Sequence, residues 1–103
     1  MADWVKVGPT GDVVEGEINS YTVGDRIVAV ANVDGDLHAF DDVCTHQGCS
    51  LSEGELDGTV VECPCHGSQF DVLTGEVVNG PADEPIDLFE AREGDEGLEV
   101  TLG

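Results

Sequence analysis

The chain has 103 residues, enough for one domain with a modest core but near the size at which a metal centre or crosslink helps appreciably. Asp and Glu number 23 against 3 Lys and Arg, a formal net charge of −20, which excludes nucleic acid and anionic membrane surfaces because their phosphates are repelled. Fourteen Gly and four Pro beside three Phe, one Trp and one Tyr point to many turns joining short strands, with little aromatic bulk to pack.

In chain order, Asp3-Trp4-Val5-Lys6-Val7 alternates polar and apolar and predicts a first strand, ended by Gly8-Pro9. Between Val13 and Ser20 the Glu15-Gly16-Glu17 stretch reads as a loop or an irregular strand. The extended pattern resumes at Tyr21-Thr22-Val23, before Gly24-Asp25. Arg26 to Val33 is a run of Ile, Val and Ala, rich in β-branched residues and too short for a helix. Asp34-Gly35 follows as a hairpin turn, and Leu37-His38-Ala39-Phe40 returns with alternation. His38 is expected to be an ordinary strand residue. This hairpin delivers the chain into Asp42-Val43-Cys44.

Leu51 to Leu56 is polar and contains Gly; Asp57-Gly58 then turns into the strand Thr59-Val60-Val61-Glu62, which ends at Cys63. Further on, Gln69 to Val72 and Glu76 to Val78 flank a turn at Leu73-Thr74-Gly75. Gly80 to Pro85 is a loop that Pro81 stiffens and whose small Ala82 permits close approach. Ile86 to Arg92 and Leu98 to Leu102 predict two last strands around the acidic turn Glu93 to Gly97. The expectation is therefore an all-β chain forming a single domain over residues 1–103. No hydrophobic signal segment is expected ahead of Asp3, and no apolar run approaches the length of a membrane span.

Chemistry concentrates in two short pieces, Cys44-Thr45-His46-Gln47-Gly48-Cys49 and Cys63-Pro64-Cys65-His66-Gly67-Ser68. They contain all four cysteines and two of the three histidines, which calls for a metal. Two thiolates and two imidazoles suit a tetrahedral zinc ion, and they equally suit a [2Fe-2S] cluster with both Cys on one iron and both His on the other. Cys44 and His46 are separated by a single residue, which suits two neighbouring irons better than one small ion, since zinc pairs usually have at least two residues between them. The spacing favours the cluster. A structural zinc module and a framework of ordinary disulfides remain the alternatives.

The pattern Cys44-x-His46 followed by Cys63-x-x-His66 resembles the Rieske [2Fe-2S] family, and the likeness continues through Gly48, Gly67-Ser68, Gln69-Phe70-Asp71, Thr74-Gly75 and Gly80-Pro81-Ala82. It covers about Asp36 to Pro85 and, more loosely, the whole chain. The resemblance implies a fold of stacked antiparallel sheets with a small cluster-binding subdomain formed by two loops, here about residues 42–85. It implies that Cys44 and Cys63 hold the inner iron and His46 and His66 the outer one, near the surface. Cys49 and Cys65 occupy positions that carry a disulfide in the Rieske proteins of quinol-oxidising complexes. Ser68 is expected to donate to a bridging sulfide, and Gly80-Pro81 to cover the cluster. Phe70 stands where the high-potential branch usually has a Tyr hydroxyl. With one feature raising the potential and one lowering it, the expected value lies between the ends of the Rieske range of roughly −150 to +300 mV.

By the same resemblance the chain is expected to be a soluble, cytoplasmic ferredoxin passing single electrons from a reductase to an oxygenase, with an apolar surface around the two imidazoles as docking face. The runner-up is a small electron-transfer subunit of a multisubunit oxidoreductase, such as a nitrite reductase or an arsenite-oxidase-like enzyme. Neither reading makes the chain itself an enzyme: there is no second metal set of two His and a carboxylate, and no dinucleotide fingerprint. Acid residues spread along the whole chain, with almost no Lys, fit adaptation to high intracellular salt better than a local patch for steering onto a partner.

Overall fold

The computed structural model describes residues 4–43, 49–65, 67–80, 84–94 and 97–102. Among them the strands are β1 Val5–Gly8, β2 Ile18–Val23, β3 Arg26–Val33, β4 Asp36–Asp41, β5 Glu55–Asp57, β6 Val60–Glu62, β7 Gln69–Asp71, β8 Val77–Asn79, β9 Leu88–Gly94 and β10 Gly97–Thr101. One turn of 3-10 helix, Leu51–Glu53, precedes β5. A six-stranded sheet has the order β1-β10-β9-β4-β3-β2, and a four-stranded sheet the order β5-β6-β7-β8. Every pairing is antiparallel. The expected all-β architecture of antiparallel sheets is what forms.

β3 explains why the apolar run of Arg26 to Val33 does not alternate. Val28, Ala29, Val30 and Ala31 are all fully buried, because the strand is covered on both faces. Val28 and Val30 point into one core with Val23, Ala39, Leu98 and Val100, inside the large sheet. Ala29 and Ala31 point into the other, with Phe40, Leu51, Val61, Cys63 and Phe70, where the large sheet meets the small one. Their small side chains let Phe40 and Phe70 fill that interface. Complete burial of each of these two rings stabilises the fold by roughly 1.5–3 kcal/mol.

β9 connects the two halves of the large sheet by changing partner along its length. Leu88 and Phe89 pair with Phe40 and Ala39 of β4, and Glu90 to Gly94 pair with β10. Ile86, expected to start this strand, lies before it: it is buried in the inter-sheet core and its N–H bonds to the Gly75 carbonyl at 2.9 Å. Three further elements depart from the sequence expectation. β1 reaches Gly8, with an irregular register after Lys6, and Asp3 lies outside the described residues. β2 is one continuous strand through Ser20, held by β3 along its whole length. The polar stretch from Leu51 contains β5, whose Leu56 faces Val61 across the β5–β6 pair. No helix among the described residues is long and apolar enough to cross a membrane.

Candidate metal centre

Each loop rises from the end of a strand that its hairpin partner holds in place. The first leaves β4 at Asp42 and returns through an isolated bridge between Val43 and Ser50, with the Leu51 N–H on the Asp42 carbonyl at 2.7 Å. The second leaves β6 at Cys63 and returns at Ser68, whose carbonyl accepts the Cys63 N–H at 2.7 Å, while the Gly67 N–H bonds to the Cys63 carbonyl at 3.1 Å. This tight return needs φ +77° at Gly67, a conformation open to glycine at little cost. A disulfide between Cys49 and Cys65, 16 positions apart with Cα atoms 6.5 Å from each other, ties one loop to the other. Cys44, His46, His66, Pro81 and Ala82 lie outside the described residues.

Cys63 is buried, 1 % exposed, against Leu51, Val61, Phe70 and Val72. Ser68 is fully buried beside the same strand ends, Phe70 packs in the same core, and Gly80 is exposed. Among the described residues the sulfurs of Cys49, Cys63 and Cys65 lie within 4.8 Å of one another. Two of these sulfurs are bonded to each other, so the trio offers a metal only the Cys63 thiolate. A soft ligand with an apolar wall behind it, at the base of one loop and cross-linked to the loop that carries Cys44 and His46, fits the inner side of an iron–sulfur cluster. A trigonal site made by the three cysteines does not fit.

Asp42 is the residue that the sequence reading missed. It is buried, 2 % exposed, and Ser52 N–H donates to its Oδ1 at 2.7 Å while the Ser50 hydroxyl donates to its Oδ2. One acidic residue out of 23 gives no sign of burial; Ser50 and Ser52, alternate residues just after the loop, are its trace in the sequence. Gly54 was missed as well: a Cβ there would sit 1.8 Å from the Glu62 carbonyl oxygen, so only glycine lets the 3-10 turn pass the base of the second loop. His38 is a β4 residue opposite Ala31.

Residues 3–90 match the family model of the Rieske [2Fe-2S] domain, and the chain belongs to that family, whose cofactor is one Rieske-type cluster. Ferredoxin CarAc of Metapseudomonas resinovorans is 42% identical over 90 residues, covering 86% of this chain and 84% of the relative. The ferredoxin component of the naphthalene 1,2-dioxygenase system of Pseudomonas putida is 33% identical over 89 residues, 86% of each chain. Among solved structures, a chain in the complex of reduced oxygenase and oxidized ferredoxin of carbazole 1,9a-dioxygenase superposes with a TM-score of 0.87 at 39% identity, covering 95% of this chain and 92% of that one.

Proposed function

We propose that this chain is a one-electron carrier that takes electrons from a reductase and delivers them to an oxygenase. It acts as a carrier and not as a catalyst. The observation that carries this reading is Cys63, buried at the end of β6 and cross-linked through Cys65 and Cys49 to the loop containing Cys44-x-His46. The names of its relatives, ferredoxin components of dioxygenase systems, support the same role. Cys44 and Cys63 are the proposed inner ligands, His46 and His66 the outer ones. When bound, the cluster supplies one reversible reducing equivalent at a potential raised by its two neutral imidazole ligands.

The chain's own residues create the conditions for that exchange. Leu51, Val61 and Phe70 keep water from the Cys63 side. The Cys49–Cys65 bridge limits movement between the loops, so little structural adjustment accompanies a change of charge. Val43, 44% exposed at the mouth of the first loop, is proposed as part of an apolar docking face with the imidazole edges. Within this reading the carrier works in a cytoplasm rich in potassium, where its charge is screened. An anaerobic titration with dithionite should consume one electron per chain and reverse fully with an oxidant. Consumption of none contradicts the proposal.

A further inference from the structure

The backbone alone already closes the mouth of the first loop, through the Val43–Ser50 bridge and the Leu51 N–H on the Asp42 carbonyl. A carboxylate buried at the same point adds desolvation cost, so its presence asks for a purpose beyond turn formation. The three ion pairs among the described residues use Arg26 and Arg92, none of them with Asp42. What surrounds Asp42 is a directed set of hydrogen bonds. Ser50 spends its only hydroxyl proton on Oδ2, so the Ser52 hydroxyl, 2.9 Å from Ser50 Oγ, must be the donor of that pair. Ser52 thereby reaches the carboxylate twice, through its own N–H on Oδ1 and through Ser50 on Oδ2. The Asp42 N–H is fixed in turn on the Ile27 carbonyl of β3 at 3.1 Å. The residue that enters the loop is thus fastened to the two that leave it and to the doubly buried strand beneath.

We propose that Asp42 is a positioning residue of the metal centre: its carboxylate, held by Ser50 and Ser52, sets the orientation of the loop that carries Cys44 and His46. The inference rests on reading those two residues as ligands. It differs from a turn-forming role in what it predicts for the metal, because partners that orient ligands govern metal retention and not only folding.

The test compares the native full-length protein with Asp42→Asn and Ser50→Ala, loaded with iron and sulfide. Iron release from the reduced form to a ferrous chelator should be roughly tenfold faster in Asp42→Asn, the lower end of the range for lost outer-shell partners, because Asp42 acts on the loop's ends through Ser50 and Ser52 and not on a ligand atom. Its low-temperature electron paramagnetic resonance spectrum should be shifted or broadened, with the far-ultraviolet circular dichroism unchanged. Ser50→Ala, which removes only the Oδ2 contact, should change both readouts in the same direction by less. Release within about twofold of native in both variants, with unaltered spectra, overturns the proposal. If Asp42→Asn does not fold, Ser50→Ala decides. Should the native protein hold zinc in place of iron, the electron-carrier reading fails, and zinc release from the same variants then decides the positioning role by itself.

Discussion

The phenol of Tyr21 shows how a single residue couples the fold to pH. Its hydroxyl donates to Asp12 Oδ2 and receives the Asn19 amide at 3.4 Å. Burial, followed by the bond to the Asp12 carboxylate, pushes its pKa up from 10.0 to about 12, although the Asn19 contact works the other way. The folded chain therefore holds the proton more tightly than the unfolded chain does. The resulting stabilisation is complete below pH 10.0 and is lost as pH rises towards about 12. As the only tyrosine, Tyr21 can be followed by tyrosinate absorbance without interference from another. The native midpoint should lie well above that of the urea-unfolded chain, and equal midpoints would remove the Asp12 contact from the account. Gly54 gives a steric counterpart. Gly54→Ala must move the Glu62 carbonyl or the 3-10 turn, and should destabilise the protein by about 3 kcal/mol in urea unfolding, at the upper end for an overpacked site.

At the scale of elements, two hairpins and a crosslink do the positioning: β3–β4 presents the first loop, β5–β6 the second, and Cys49–Cys65 spans the gap. A bound cluster would join the same two loops. Each connection therefore removes part of the unfolded-state freedom that the other would also remove, and their effects overlap. Cys49→Ser should cost about 3 kcal/mol in the metal-free protein and clearly less once iron is bound; a larger loss in the loaded form would contradict this overlap. The first hairpin was legible in the sequence because Asp34-Gly35 fixes its turn; of the second, the Asp57-Gly58 turn and β6 were legible. β5 was not, since Glu55 and Asp57 face outward and only Leu56 carries an apolar signal. The unity of β2 was hidden as well, because Asn19 and Ser20 have low strand propensity and owe their conformation to pairing with Val30 and Ala29. The proposed ligand pattern rests on local spacing alone, and Cys44, His46 and His66 lie outside the described residues. The Asp42 network was not legible, because burial is a property of the packed molecule.

Over the whole molecule the balance of charge sets both stability and partner choice. Arg26 lies over the Phe89 ring at 5.4 Å and within 4.0 Å of Asp41 and Asp87, while Arg92 lies over Trp4 at 3.9 Å and bonds Glu99 at 2.9 Å. Two of the three cationic side chains are thus engaged in the fold, and the rest of the surface is left nearly uniformly acidic. Glu55 even stands directly opposite Glu62 across β5–β6, an arrangement that repels in dilute buffer. In multimolar KCl the screening length falls to about 3 Å or less, and the midpoint of thermal unfolding should rise by about 5 °C or more over that at low salt. Equal midpoints would leave partner docking as the reason for the acidity. The central claim, a Rieske-type cluster held by these two loops, is tested most directly on the purified protein by visible absorption and low-temperature electron paramagnetic resonance before and after dithionite, with iron and zinc counted on the same sample. A red-brown oxidised form, a Rieske signal on reduction and two irons per chain are the predicted result. A colourless protein with one zinc per chain would contradict it.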